Sequence, residues 1–377
     1  MLQKVLNGFR DTPRYSNQIT AWHTIPPSPA QFSPWPSGLD PVILEQAREK
    51  GITSPWTHQA QAIEAALSGE NVVLMTPTAS GKTLCYNLPV FQTLLRDPSA
   101  RALYLFPTKA LAYDQLEELK EWMFGSLDFS CASYDGDTPR SIRGKIRKNA
   151  RIVLTNPDML HAGVLPYHTQ WAETFSRLRF VILDEIHVYR GVLGSHVANV
   201  LRRLKRIARF YGSSPRFVCC SATIANPVEH ARSLIEEEVK GIDEDGAPKG
   251  ERHFIFYNPP LVEEALGIRR SVVLETQQIA QEFISSKVQT IVFAQTRQGT
   301  ELLVQYLQAA FPLPSSPGGP NASHFIRGYR GGYRPDERRA IEKGLRTGEI
   351  RAVVSTNALE LGDRKSTRLN SSHVSQS

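Results

Sequence analysis

Residues 71–75 read as a buried strand that breaks directly into Thr76-Pro-Thr-Ala-Ser-Gly-Lys-Thr83, with helical spacing continuing to residue 95. A strand, a tight turn and a helix start in that order leave few folds open. They build a concave anion site, because the turn's N–H groups and the positive helix end face one point. Thr78, Ala79, Ser80 and Gly81 form the cradle, and Lys82 is a point charge for β- and γ-phosphate oxygens. Thr83 offers a hydroxyl to a magnesium ion. Thr76 stands where the strict phosphate-loop pattern has its leading glycine. About a hundred residues on, a second buried strand at 180–183 runs into Asp184-Glu-Ile-His187. Asp184 is placed to complete the Mg²⁺ site, and Glu185 to orient and deprotonate an attacking water. The pair of motifs specifies an α/β core that binds and splits a nucleoside triphosphate.

A chain of 377 residues, 41% hydrophobic and 21% charged, has room for two ordinary globular domains. No apolar run approaches a membrane span, and the N-terminus lacks a secretory h-region. Cys85, Cys131, Cys219 and Cys220 have no metal-ligand spacing, and the last two sit in an apolar run, so reduced thiols and a cytoplasmic setting are expected. The net charge of +7 fits a polyanionic partner. The densest basic run, Arg202-Arg-Leu-Lys-Arg206 with Arg209, lies in a helical pattern whose apolar positions are Val197, Val200, Leu201, Leu204, Ile207 and Ala208. Its basic residues therefore read first as a solvated face.

In their order these segments resemble superfamily-two DEAD/DEAH-box helicases of the DExH type, and within them the MrfA/YprA branch related to RecQ4-like helicases. The resemblance runs from residue 19 to 362. It implies two RecA-like α/β lobes with mainly parallel sheets, the second incomplete. Trp56-Thr-His-Gln-Ala-Gln-Ala-Ile63 resembles the adenine-reading motif, with Trp56 stacking on the base and Gln59 meeting its edge. Pro107, Thr108 and Lys109 follow one strand, and Thr155, Asn156 and Pro157 another. Both sets match motifs that grip a nucleic-acid backbone. Ser221-Ala-Thr223 resembles the segment that couples the ATP site to nucleic acid, its hydroxyls and His187 joining the Asp-Glu-Ile-His run in one network.

Turn-rich residues 243–250 separate the lobes, giving an N-terminal extension over 1–47, lobe one over 48–250 and a partial lobe two over 251–362. Residues 253–257 read as the second lobe's first strand, and 312–320 as a loop. Thr296 and Arg297 open a helix after the strand at 290–293. Thr356 and Asn357 match a backbone-contacting motif, and Gly362 its approach to the nucleotide. Residues 363–377 depart from the pattern, since Asp363–His373 back-translates to a common sequencing adapter and is expected to be an artefact tail. Excluding it removes three positive charges and one negative, lowering the net charge from +7 to +5. The resemblance implies an ATP-dependent helicase moving 3′-to-5′ on single-stranded or partly duplex DNA in repair. The arginines that reach the γ-phosphate in the family do not occur in this sequence, so weak activity is expected of it. Two other readings stay open, an RNA helicase of the same group and a non-catalytic, ATP-gated nucleic-acid clamp.

Overall fold

Strands that are apolar at successive positions belong in a sheet covered on both faces, and residues 102–105, 152–154, 180–183 and 217–220 are of this kind. The computed structural model describes all residues except 78–79, 124–126, 128, 312–321, 357–358 and 360–377. Thr78, Ala79, Asn357, Gly362, the 312–320 loop and the 363–377 tail therefore lie outside the described residues. Contacts divide the chain into two compact units, residues 29–248 and residues 1–28 with 249–377.

Numbered along the chain, β1 (Ile19–Ile25) belongs to the second of these units. Seven strands of the first follow: β2 (Val72–Met75), β3 (Arg101–Leu105), β4 (Cys131–Ser133), β5 (Ile152–Thr155), β6 (Leu178–Leu183), β7 (Arg216–Ser221) and β8 (Lys240–Ile242). They form one parallel sheet in the order β4-β5-β3-β6-β7-β2-β8. Alternate residues enter different cores. Leu74, Tyr104, Leu154, Ile182 and Val218 pack with Tyr86, Leu88 and Phe91 of helix Lys82–Arg96. Val73, Leu105, Val153, Val181 and Phe217 pack with Val197, Leu201 and Leu204 of helix Gly191–Phe210. Each such buried side chain contributes about 1.5–3 kcal/mol.

Arg202 and Arg209 of that helix face outward and pair with Glu236 and Glu237. Lys205 departs from the expected solvated face. It is buried, with its ammonium on the Ile235 carbonyl and Glu237. Cys85, Cys219 and Cys220 are buried free thiols, and burial pushes Cys219 up to about 12. Among the described residues no helix is long and apolar enough to cross a membrane.

In the second unit β1 pairs antiparallel with β9 (Arg252–Tyr257). β10 (Leu261–Glu263) and β11 (Ile268–Arg269) form a small antiparallel pair. The parallel sheet consists of β12 (Thr290–Phe293), β13 (Ile326–Tyr329) and β14 (Ala352–Ser355), in the order β12-β14-β13. The strand expected to open the second lobe, at 253–257, is β9, and it pairs with β1 outside the parallel sheet. Residues 1–47 also split where the sequence suggested one extension. Val5 and Phe9 on one face of helix Leu2–Asp11 cluster with Tyr15 against Phe283, inside the second unit. Ile43 and Ala47 of helix Pro41–Glu49, which Asp40 caps, enter the core of the first.

Candidate nucleotide site and nucleic-acid edge

In a parallel sheet every strand ends on the same side, and strand order decides whose ends are neighbours. β6, β7 and β2 are consecutive, with Leu183 beside Cys219 and Met75 beside Ser221. The residues that follow these strands therefore meet. After β2 the chain turns through Gly81, whose left-handed backbone (φ +65°) starts helix Lys82–Arg96 with no side-chain cap. The helix's positive end is thus left to an anion. A Cβ at Gly81 would stand 2.5 Å from Gln59 Nε2 and 3.2 Å from the Trp56 ring, so the cradle accepts only glycine. Thr76 and Ser80, both buried, share a hydroxyl–hydroxyl bond of 2.5 Å that fixes the loop's width. Lys82 Nζ donates to the carbonyls of Thr76 and Pro77, folding the ammonium back over the loop.

Gln59 sits at this same point. Its Oε1 accepts from Trp56 N at 2.9 Å and its Nε2 donates to the Gly81 carbonyl at 3.2 Å. The amide expected to meet adenine thus also braces the phosphate loop. The half-buried Trp56 lies against the same glycine.

After β6, Asp184 accepts from the Glu185 amide at 2.8 Å. Glu185 is 2% exposed and held at φ +57°, a left-handed backbone that a non-glycine residue adopts only at a cost. Next to it, His187 Nδ1 lies 3.2 Å from Glu185 Oε2 and accepts from the Ala222 amide at 3.2 Å. Partial burial, then the charges of Arg190, Lys82 and His230, hold the His187 pKa below its ordinary value. The neutral ring keeps the Ala222 bond.

This corrects one expectation. The link from β7 to His187 is the Ala222 backbone amide and not the hydroxyls of Ser221 or Thr223. The Ser221 hydroxyl is buried without a hydrogen-bond partner among the described residues, and Thr223 is exposed. His230 adds a second brace that sequence reasoning missed, its Nε2 lying 2.8 Å from the Ile186 carbonyl.

Thr83 is buried in the first turn of its helix, within reach of the Tyr86 hydroxyl. Burial and then the Asp184 charge push Tyr86 well above its ordinary pKa. One hydroxyl and one carboxylate are hard oxygen donors suited to magnesium, whose remaining positions phosphate and water fill. No cluster of three or more His, Cys, Asp or Glu able to hold a metal occurs among the described residues. The donor set thus fits a metal bound together with its nucleotide.

On the other side of β6, the ends of β3 and β5 adjoin, with Leu105 beside Thr155. Thr108 caps helix Lys109–Trp122 by accepting from Leu111 N, and Asn156 caps the short helix Pro157–Met159 by accepting from Met159 N. Two helix starts therefore flank this edge, together with Pro107 and Lys109. Lys109 is half-buried and pairs with Asp137 at 2.8 Å, which raises its pKa. Thr155 does not belong to the surface set, because it is 1% exposed and its hydroxyl donates to the Tyr134 carbonyl. Pro157 is buried as well. In the second unit Thr296 caps helix Arg297–Ala309 at the end of β12, with Arg297 exposed. Thr356 follows β14 and donates its amide to Tyr329.

A phosphate loop and an acidic strand end on neighbouring strands of a parallel sheet define a P-loop nucleoside-triphosphate-binding unit. Residues 56–231 match the DEAD/DEAH box helicase pattern, so the chain carries a helicase domain of that family. It is 50% identical to the ATP-dependent helicase YprA of Bacillus subtilis over 96% of this chain and 48% of that protein. It is 38% identical to the ATP-dependent helicase HRQ1 of Saccharomyces cerevisiae over 96% of this chain and 34% of the relative. The crystal structure of the helicase MrfA bound to DNA and AMPPNP superposes with a TM-score of 0.90 at 49% identity, covering 96% of this chain and 49% of MrfA. The chain thus spans between a third and a half of the length of these curated relatives.

Proposed function

We propose that this chain is the motor part of an ATP-dependent DNA helicase or translocase. One observation carries the reading: strand order brings Lys82 and Thr83, Asp184 and Glu185, and the His187–Ala222 bond to consecutive strand ends. Lys82 would exchange its loop carbonyls for β- and γ-phosphate oxygens, and the open helix start would take the remaining charge. Magnesium, held by Thr83 and Asp184, would neutralise charge on the phosphates. Glu185, buried and fixed in its unusual backbone conformation, would orient water and take its proton. Trp56 and Gln59 would hold the adenine.

DNA is favoured over RNA by identity, since the relative at 49% is described as bound to DNA. The ssRNA-bound Mss116, at 19%, shares the fold. Movement 3′-to-5′, a role in repair and a reducing cytoplasmic setting complete the proposal. Backbone contacts would come from Pro107, Thr108, Lys109 and Asn156, and from Thr296, Arg297 and Thr356.

The test is Mg·ATP hydrolysis with and without single-stranded DNA, in the chain and its Glu185→Gln variant. Weak DNA-stimulated hydrolysis that vanishes in the variant, with nucleotide binding kept, is expected. Equal hydrolysis in both would refute the role of Glu185.

A further inference from the structure

We infer that His58 is a positioning residue that ties the phosphate loop to the turn by which the chain leaves the nucleotide-binding unit. The inference rests on the nucleotide reading above. His58 lies in the first turn of helix Thr57–Leu67 and is wholly buried. Its Nε2 is 2.8 Å from the Ser80 carbonyl, inside the phosphate loop. On the opposite side of the ring, the Gly246 amide donates to Nδ1 at 3.2 Å. A ring that accepts at Nδ1 carries its proton on Nε2, so one neutral tautomer satisfies both contacts. The imidazole is a rigid spacer between two backbone groups 166 positions apart in the sequence.

The far end of this spacer is itself held. Asp245 Oδ1 accepts from the Ala247 amide at 3.0 Å, closing the turn, and stands 3.7 Å from His58 Nδ1. Gln31 N donates to the Gly246 carbonyl at 2.9 Å. A Cβ on Gly246 would stand 2.9 Å from both the Gln31 carbonyl and the Thr57 amide, so the turn lies flat on the helix start. Three residues later, Lys249 belongs to the other compact unit. Any rotation of the Ser80 peptide as phosphate occupies the loop must either break the His58 bond or carry the ring with it. The ring can move only against Gly246. Occupancy of the nucleotide site is thereby felt at residues 243–248.

Two substitutions separate the ring's ends. In His58→Asn the shorter side chain keeps an acceptor for Gly246 but cannot reach Ser80. In His58→Gln the longer one reaches Ser80 with a donor but offers Gly246 nothing. The measurement is hydrogen exchange across residues 243–250 with and without a magnesium-loaded, non-hydrolysable ATP analogue. Melting temperature and analogue affinity are measured alongside. In the unaltered chain the analogue changes exchange in this segment. In His58→Asn and His58→Gln that response disappears, and the Asn variant binds the analogue about fivefold more weakly, the worth of one neutral hydrogen bond. A residue that only supports the fold would lower the melting temperature in both variants and leave the response intact. That outcome overturns the inference, as does an unaltered chain that binds the analogue without any change at 243–250. A chain that fails to bind the analogue refutes the nucleotide reading itself, and the relay with it.

Discussion

Replacing Gly81 by alanine tests the cradle most directly, because its cost separates into parts. The left-handed backbone at φ +65° alone costs an L-residue roughly 1–2 kcal/mol. The new methyl would sit 2.5 Å from Gln59 Nε2, so Gln59 must leave. Its departure removes the bonds to Trp56 N and the Gly81 carbonyl, each worth about 0.5–1.5 kcal/mol. The total is about 2–5 kcal/mol. Gln59→Ala forfeits the same two bonds but also clears the space. The double variant should therefore be more stable than the sum of the single effects by about 1–3 kcal/mol, since the two bonds are lost only once. Urea denaturation of the four proteins measures this directly. Additivity within about 0.5 kcal/mol would show that Gln59 and Gly81 do not compete for one volume, and the cradle argument would fail.

Phe91→Ala, on the buried face of the phosphate-loop helix, should destabilise the fold by about 3–5 kcal/mol in the same denaturation assay. For His187 the sign follows from its lowered pKa: the folded chain binds fewer protons than the unfolded one between that pKa and the ordinary value. The site's contribution to stability is full above the ordinary value and is lost as pH falls through the lowered one. Melting temperature against pH should therefore fall more steeply on the acid side for the unaltered chain than for His187→Gln, and parallel curves would refute this. Asp137→Asn releases Lys109 from an exposed ion pair worth at most about 1 kcal/mol. Single-stranded DNA should then bind more tightly and with a steeper salt dependence, as fluorescence anisotropy would read.

The first unit was legible because its strands announce themselves. An apolar run buried on both faces needs no partner to be recognised, and 71–75, 180–183 and 217–220 are all of this type. The phosphate loop and acidic run followed from position. Thr155 misled because a threonine at a strand end looks alike in sequence whether it faces solvent or the Tyr134 carbonyl. Ser221 misled similarly, since the contact to His187 comes from a backbone amide that any residue but proline at 222 would supply. Residues 1–28 were unreadable for another reason. The pairing of β1 with β9 joins segments more than two hundred residues apart, and no local pattern reports such a pairing.

His58 shows where motif reading and physical reading diverge. Beside a glutamine with an obvious chemical task, a histidine on a helix's buried face reads as core. What distinguishes it is that both ring nitrogens meet backbone groups, one in the phosphate loop and one in the exit turn. The same logic applies across the sheet, where His187 accepts the Ala222 amide and His230 joins helix Pro227–Ile235 to the Ile186 carbonyl. In each case an imidazole spans two elements that no continuous strand or helix connects. A motor has to make the chemistry at one strand end felt at another, and short rigid spacers with a single satisfied tautomer transmit displacement better than flexible side chains. On the proposed function, the histidines nearest the nucleotide loop and the acidic turn would be its transmission, while Lys82, Asp184 and Glu185 would be its chemistry.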